Sequence, residues 1–329
     1  MSLVRVLIIA VVAMISNNPA LAGTGQPCQK TTNVLRLACY HDAADDKLTQ
    51  RANCLNLTAS DRRLQCLRES RQTFREALGE CNEVRRARRA LCRELGGAAY
   101  DPPFGEDFAG NFVDPREIGV TVAPNPWLPL TAGSEWRYEK TFEEDGEEVT
   151  ESIVVTVTEA TKRIDGIDCV VVRDVVEVDG DLLEDTADWY AQDIHGNVWY
   201  CGEVSENFEV FDGDDPETPE LVDLDGSWKA GRDGAKAGIL LPFAPLVGET
   251  IRQEVAWAEA EDVIEIVSVS GSESAPAAGC DGTCLVTRDF TPLEPDADEF
   301  KYYVPGIGLI VEVDPETGER LELQSFSQP

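Results

Sequence analysis

Residues 129–200 and 245–311 match each other, with a constant offset of 115 residues as far as Arg173-Asp174, so an internal repeat is the strongest constraint on the fold. The matched positions are Gly133 and Gly248, Arg137 and Arg252, Glu139 and Glu254, Cys169 and Cys284, and Arg173-Asp174 and Arg288-Asp289. After these positions the second copy is about two residues shorter, so that Asp188-Trp189-Tyr190 corresponds to Lys301-Tyr302-Tyr303. A duplicated sequence predicts two copies of one structural unit related by a pseudo-two-fold axis.

Within this region, apolar and polar residues alternate along short runs that are separated by turn signals. Such runs include residues 152–158, 169–178, 197–200 and 262–269. The turn signals are Asp145-Gly146, Asp165-Gly166, Asp179-Gly180, His195-Gly196 and Asp281-Gly282. An Asp-Gly pair between alternating runs is typical of a β-hairpin, and no helical pattern lies between the runs. The sequence therefore predicts an antiparallel β meander that forms a barrel or a half-barrel with a cavity.

The first 22 residues have the three parts of a secretory signal peptide. Arg5 supplies the positive charge, residues 7–15 are apolar, and Ala20-Leu21-Ala22 is a cleavage site between small residues. The apolar run is about half the length that a membrane span needs. We therefore expect cleavage after about Ala22, a secreted or periplasmic location, and no membrane span.

Charge divides the rest of the chain into two parts. Residues 23–100 hold 14 Lys and Arg against 9 Asp and Glu, whereas residues 101–329 hold 13 against 53. We expect a helical module at 23–97, a linker at 98–128 and an acidic β domain at 129–329. A domain this negative repels phosphate backbones and anionic membranes, which disfavours nucleic acid as a partner. The acidity is typical of a well-solvated surface, with a cation-binding role as the alternative.

Six cysteines and many helix-forming residues characterise the helical module. Gly79 is placed to end a helix, so helices at about 61–78 and 80–95 are predicted to form an antiparallel hairpin around it. Cys66 and Cys92 are equally far from Gly79, which predicts a disulfide between them. An arginine cluster on the second helix has the acidic β domain as its simplest docking partner. This cluster consists of Arg85, Arg86, Arg88 and Arg89.

Four further cysteines lie in the β domain, and an even number behind a signal peptide predicts disulfides. One scheme pairs Cys169 with Cys284 near the pseudo-two-fold axis, which leaves Cys201 for Cys280. The other pairs Cys169 with Cys201 and closes a local loop between Cys280 and Cys284. Zinc is disfavoured because the chain has two histidines and no Cys-x-x-Cys motif.

Aromatic residues are concentrated in the first copy of the repeat. They are Trp136, Tyr138, Trp189, Tyr190, Trp199 and Tyr200. Some of them are predicted to line a cavity for an apolar or amphipathic ligand, as in other curved β cups, although ordinary packing between strands is the alternative. The favoured hypothesis is a non-catalytic binding protein whose partner is a small apolar ligand or another envelope or extracellular protein.

Acidic loops offer a second hypothesis, a Ca²⁺-stabilised structural or surface protein. Carboxylates spaced by one residue can converge on a hard cation. The candidate ligands are Asp212, Asp214, Asp223 and Asp225. The complete twelve-residue calcium-loop signature is missing, so a solvated acidic loop is the alternative interpretation.

A hydrolase that acts through carboxylates is the third hypothesis. The only histidine of the β domain, His195, lies in a turn, and the chain has no Gly-x-Ser-x-Gly motif. Two carboxylates can hydrolyse a glycoside, but so many acidic residues give no way to select a pair. In Arg173-Asp174 and Arg288-Asp289, neighbouring side chains point to opposite faces of a strand, which favours structural ion pairs.

Residues 125–325 resemble a widespread group of secreted bacterial proteins of uncharacterised function. The resemblance is carried by Asn125-Pro126-Trp127-Leu128-Pro129-Leu130, Asp188-Trp189-Tyr190-Ala191-Gln192-Asp193, Gly196-Asn197-Val198-Trp199-Tyr200, Thr291-Pro292-Leu293-Glu294-Pro295 and Lys301-Tyr302-Tyr303. It implies no particular activity, cofactor or catalytic residue. A looser similarity links the chain to the curved-sheet lipoprotein carriers of the bacterial envelope, which is a likeness of fold and a weak guide to function.

Overall fold

The computed structural model of the protein describes residues 26–144 and 146–329. The predicted signal peptide lies outside these residues. Two helices form a hairpin, a connecting segment follows, and fifteen strands form the rest of the chain. The architecture is therefore mainly β with a small helical module at its N-terminal side, as the sequence predicts.

The helical module consists of α1 (Pro27–Leu55) and α2 (Ser60–Glu94). The predicted turn at Gly79 is wrong, because α2 runs through that residue without interruption. A glycine inside a helix costs only about 1 kcal/mol, and the helix formers on both sides outweigh that cost. The hairpin turn lies at residues 56–59 instead.

Three disulfides join α1 to α2 like the rungs of a ladder. They are Cys28–Cys92, Cys39–Cys81 and Cys54–Cys66. The predicted Cys66–Cys92 bridge is therefore wrong. Paired positions are equidistant from Ser60, the first residue of α2 after the turn, rather than from Gly79. Bridges matter in a module this small because its core buries little apolar surface.

The fifteen strands form one antiparallel sheet in which most neighbours in sequence are also neighbours in space. In the first half the strands are β1 (Glu135–Glu144), β2 (Glu147–Ile164), β3 (Ile167–Val178), β4 (Asp181–Gln192), β5 (Val198–Glu209), β6 (Glu220–Asp223), β7 (Trp228–Lys229) and β8 (Lys236–Leu241). In the second half they are β9 (Thr250–Arg252), β10 (Glu254–Val255), β11 (Val263–Ser274), β12 (Gly279–Phe290), β13 (Asp298–Val304), β14 (Gly308–Val313) and β15 (Arg320–Ser327). The sheet order is β10-β8-β5-β4-β3-β2-β1-β15-β14-β13-β12-β11-β9.

The two ends of this sheet meet at one bent stretch of chain, residues 250–255. Its first part, β9, pairs with β11, and its second part, β10, pairs with β8. Because only Gln253 separates β9 from β10, the sheet nearly closes into a barrel. The two halves also place β1 to β5 and β9 with β11 to β14 in the same sequential order, which is what an internal repeat requires.

The segment between the helices and the barrel packs along the barrel wall. It contains short 3₁₀ helices at Glu106–Asn111 and Pro115–Glu117. The rings of Phe104 and Phe112 lie 6.2 and 5.7 Å from that of Trp199, between ring centroids. This segment therefore covers part of the outer face of β5.

A buried ion pair fixes the helical module to the barrel. Arg88 Nε donates to Glu261 Oε2 at 2.9 Å, and Nη2 donates to Oε1. Both side chains are almost completely buried. The predicted docking of the arginine cluster against the acidic domain is thus confirmed for Arg88.

The barrel contains one of the two bridges of the second predicted scheme, and the other pair of that scheme, Cys169 and Cys201, is not bonded in this structure. Cys280 and Cys284 are disulfide-bonded, so the pairings Cys169–Cys284 and Cys201–Cys280 are wrong. The Sγ atoms of Cys169 and Cys201 lie 2.7 Å apart, and both residues are fully buried. The proximity of the two sulfur atoms favours a fifth bridge in an oxidising compartment.

We expect the purified protein to contain no free thiol. The measurement is alkylation of denatured, unreduced protein followed by peptide mass spectrometry, with reduced protein as the control. Unmodified Cys169 and Cys201 in the unreduced sample are the expected result. Alkylation of these two residues to the same extent as in reduced protein would contradict it.

Candidate functional site

The interior of the barrel contains a cavity of about 230 Å³, here called the lumen cavity. It is lined by Leu128, Leu130, Trp136, Tyr138, Val155, Val157, Val172, Asp174, Asp188, Tyr190, Leu240, Leu241, Gln253, Asp262, Asp289, Lys301, Tyr303 and Leu309. One wall is apolar, and the opposite set of side chains is acidic. Asp262 is exposed to solvent as well as lining the cavity, so the cavity reaches the surface at that residue.

The apolar wall depends on a short segment held by Asn125. The Asn125 Oδ1 atom accepts hydrogen bonds from the N–H groups of Trp127 and Leu128 at 2.8 and 3.3 Å, and Nδ2 donates to the Gly196 carbonyl at 2.8 Å. Asn125 is fully buried. These contacts direct Leu128 and Leu130 into the barrel, where they cover one side of the cavity.

Two ring side chains of the first strand complete the apolar wall. Trp136 Nε1 donates to the Ile307 carbonyl at 2.7 Å, and the Tyr138 hydroxyl donates to the Leu309 carbonyl at 3.0 Å. Each polar atom of these rings is therefore satisfied by backbone across the barrel. The rings are held in fixed positions and present their apolar surfaces to the cavity.

The acidic side of the cavity contains an unpartnered carboxylate oxygen. Asp174 Oδ1 is buried and accepts no hydrogen bond among the described residues. Burial raises the pKa of Asp174 well above its usual value, and the neighbouring carboxyl groups of Asp188 and Glu184 raise it further. A buried polar atom without a partner is costly, so this oxygen is suited to accept a hydrogen bond from a bound molecule.

The strand alternation places Asp174 inside the barrel and its neighbour Arg173 outside. Arg173 pairs on the outer surface with Asp185 at 2.5 Å. The second copy repeats this arrangement, since Asp289 lines the cavity and Arg288 pairs with Asp298 at 2.8 Å. One member of each Arg-Asp pair thus points inward, as predicted.

Lys301 is the cation of the lumen cavity. Its Nζ atom lies 3.2 Å from Glu312, 3.3 Å from Glu299 and 3.5 Å from Asp289. Burial alone would lower the pKa of Lys301, but these three carboxylates raise it well above its usual value. Lys301 therefore stays charged, and its ammonium group already forms ion pairs with several carboxylates.

Tyr200 joins two carboxyl groups in the barrel wall. Its hydroxyl lies 2.6 Å from Asp188 Oδ1 and 2.8 Å from Glu203 Oε2. Burial raises the pKa of Asp188 to about 6 and that of Glu203 to about 8, where the nearby Asp188 charge also contributes. Glycoside hydrolysis needs two carboxyl groups that face each other across a substrate, whereas here a tyrosine hydroxyl occupies the space between them.

The six predicted aromatic residues fall into two groups. Trp136, Tyr138 and Tyr190 line the lumen cavity, and the Tyr200 ring contacts that of Tyr190 at 4.9 Å between centroids. Trp189 and Trp199 share one strand face, and it is the outer face. Trp189 lies beneath the ammonium groups of Lys162 and Lys229 at 5.1 and 4.9 Å, and Trp199 packs against the connecting segment.

The charged residues of the cavity were not selected from the sequence. Asp174, Asp188, Asp289 and Lys301 are four among many charged residues, and their individual positions carry no motif. The repeat contained the missing signal, because Asp174 matches Asp289 and Asp188 matches Lys301. Both members of each matched pair line the same cavity.

The predicted calcium ligands lie on the outer surface, in and beside β6. Asp212, Asp214, Asp223 and Asp225 are all exposed. Asp223 Oδ1 accepts hydrogen bonds from Asn207 Nδ2 at 2.7 Å and from the Asp225 N–H at 3.0 Å. Within residues 26–144 and 146–329, no group of three or more His, Cys, Asp or Glu side chains is arranged to hold a metal ion. Calcium binding stays a prediction.

Comparison of the chain with protein-family models, with curated proteins and with solved structures finds no match. In the part of the chain that the structure describes, neither helix is both long and apolar enough to cross a membrane.

Proposed function

We propose that the protein is a secreted or periplasmic, non-catalytic binding protein whose barrel holds a small amphipathic molecule with a protonated amine. The observation that carries the proposal is the buried, unpartnered Oδ1 atom of Asp174 in a cavity with one apolar wall. The disulfides of the helical module support the extracytoplasmic location.

The charges around the lumen cavity favour a cation over an anion. Four carboxyl groups line the cavity, from Asp174, Asp188, Asp262 and Asp289, against the one ammonium group of Lys301. Lys301 is held by Asp289 and two further carboxylates, and its charge affects the pKa of Asp174 less than burial and the neighbouring carboxyl groups do. An amine would give Asp174 both a hydrogen-bond donor and a counter-charge.

The volume of the cavity limits the ligand to a small molecule. An apolar protein cavity of about 150 Å³ is large enough for benzene, and the lumen cavity measures about 230 Å³. A single ring or a short alkyl chain therefore fits against the apolar wall that Leu130, Trp136 and Leu309 form, with the amine directed at Asp174. This arrangement matches the usual plan of small-molecule sites, which combine apolar walls with a few convergent polar groups.

We expect phenethylamine to bind more tightly than 2-phenylethanol, and its affinity to rise with pH as long as the amine stays protonated. The physical reason is that the raised pKa of Asp174 keeps a proton on this group at lower pH, and the amine must displace that proton. Isothermal titration calorimetry at several pH values measures both effects. The Asp174→Asn variant is expected to lose about tenfold in affinity for the amine.

Asp185→Asn is the matched control, because it removes a carboxylate from the outer surface of the same pair of strands. It is expected to bind phenethylamine as the unmodified protein does. Equal affinity for the amine and the alcohol, or an Asp174→Asn variant with full affinity, would refute the proposed ligand class.

A further inference from the structure

A second cavity, of about 470 Å³, lies where the helical module meets the barrel and is here called the interface cavity. It is lined by Cys28, Thr31, Leu95, Ala98, Ala99, Tyr100, Pro102, Trp199, Ile239, Glu249, Thr250, Ile251, Arg252 and Trp257. Most of these side chains are apolar or aromatic. Glu249 is the one carboxylate among them, and it is exposed to solvent.

Arg252 is a buried cation in this cavity, and its Nη1 atom lacks a hydrogen-bond acceptor among the described residues. The residue is 4% exposed. The guanidinium carbon lies 5.7 Å from the ring centroid of Tyr100 and 5.6 Å from that of Trp257. Both rings lie close to the guanidinium group and stabilise its charge. A ring face, however, does not accept the directional hydrogen bonds that guanidinium N–H groups donate.

The buried carboxylate whose charge acts on Arg252, that of Glu261, already has partners. Glu261 accepts hydrogen bonds from Arg88 through both of its oxygen atoms, and Oε1 also accepts from the Ala258 N–H at 3.0 Å. Arg88, Arg252 and Glu261 therefore form a buried group with two positive charges and one negative charge. Burial of an unbalanced charge is unfavourable, so this group lacks one anion.

Arg137, at the corresponding position of the first repeat, has different surroundings from Arg252. Arg137, 115 residues before Arg252, has a half-exposed side chain and pairs with Glu135 at 2.7 Å. Arg252 occupies the matched position and has no such ion pair in the described chain. Of these two matched arginines, only Arg252, which lines the interface cavity, has an N–H donor without a partner among the described residues.

We infer that the interface cavity is a binding site for an apolar molecule that carries one carboxylate, which Arg252 receives. A single negative charge completes the balance of Arg88, Glu261 and Arg252, and a carboxylate accepts two parallel hydrogen bonds from a guanidinium group. Trp199, Trp257 and Ile251 contact the apolar body. This site lies in a different cavity from that of the proposed amine and selects the opposite charge, so the two proposals stand independently.

The test uses decanoate, with decanol as its uncharged counterpart, and 4-phenylbutyrate to distinguish an aliphatic from an aromatic body. Isothermal titration calorimetry on the full mature protein is expected to show decanoate or 4-phenylbutyrate binding at least tenfold more tightly than decanol. Arg252→Gln is expected to lose at least tenfold in carboxylate affinity and to leave decanol affinity unchanged. Arg137→Gln, the matched control on the outer surface, is expected to keep both affinities.

The unmodified protein alone can overturn the inference, even if Arg252→Gln fails to fold. No binding of either carboxylate at millimolar concentration, or equal affinity for decanoate and decanol, would exclude the site. A folded Arg252→Gln variant with full decanoate affinity would exclude Arg252 as the receiving group. Asp174→Asn serves as a cross-control, because it is expected to bind decanoate normally.

Discussion

Glu261→Gln is expected to lower the free energy of unfolding by about 3 to 5 kcal/mol, which is the usual cost of removing one partner from a buried ion pair. The side chain of Glu261 is fully buried and receives the guanidinium group of Arg88 on both oxygens. Without this negative charge, Arg88 and Arg252 would remain buried near each other. Urea unfolding followed by tryptophan fluorescence and circular dichroism measures the change.

A surface ion pair on the same helix is the matched control. Arg86 and Glu83 lie 3.0 Å apart with side chains 69% and 56% exposed, so Glu83→Gln is expected to cost less than about 1 kcal/mol. The double variant Arg88→Met with Glu261→Leu removes both charges and is expected to recover most of the lost stability. If Glu261→Gln and Glu83→Gln are equally mild, the ion pair does not fix the module to the barrel.

The free energy of unfolding is expected to fall as pH rises from about 5 to about 9. Burial raises the pKa of Glu203 to about 8 and that of Asp188 to about 6, so both groups hold protons in the folded protein that they release in the unfolded chain. Their contribution is complete below the unfolded pKa of a carboxyl group and is lost as pH passes the folded values. The expected loss is on the order of 3 kcal/mol.

Glu203→Gln is expected to flatten this pH dependence, because glutamine stays neutral. Glu203 interacts with the hydroxyl of Tyr200 and with the carboxyl groups of Asp188, Glu184 and Asp262, and a neutral amide at this position removes its repulsion with those carboxyl groups. Glu209→Gln, on the exposed end of the same strand, is expected to leave the slope unchanged. Urea unfolding at pH 5, 7 and 9 tests both, and a slope that persists in Glu203→Gln would show that other groups cause it.

The β architecture could be predicted because two independent patterns agree. Alternation of apolar and polar residues gives strands, and the Asp-Gly pairs give the tight turns between them. The sequence does not distinguish a closed barrel from a half-barrel. Closure depends on the bend at Gln253, where one short stretch pairs with both ends of the sheet, and no local pattern marks that bend.

In the helical hairpin, the predicted disulfide depends on where the turn between the helices is placed. All three disulfides join positions that are equidistant from Ser60, which directly follows the turn. The predicted Cys66–Cys92 pairing is wrong because the chain turns at residues 56–59 and not at Gly79. Propensity is a weak guide where packing and crosslinks dominate.

The candidate site was only partly predictable, since parity shows which residues share a face but not which face is inside. Trp189 and Trp199 are the same residue type as Trp136, but they lie on the outer face of the barrel. Lysine side chains cover Trp189 there, and the connecting segment covers Trp199. Conversely, Asp174 looks like a surface residue. Its burial results from long-range barrel closure, and only its match with Asp289 distinguishes it in the sequence.

The crosslinked hairpin has a mechanical consequence. Covalent bonds at its base, middle and tip prevent the two helices from sliding or separating, so the pair behaves as a stiff rod. Arg88 attaches the helical module to the barrel through its ion pair with Glu261. The rise of an α-helix gives a length of about 40 Å from Arg88 to Ser60 at the tip. Leu55 and Leu64 are exposed at this tip. A molecule bound there would be held at a constant distance from the barrel.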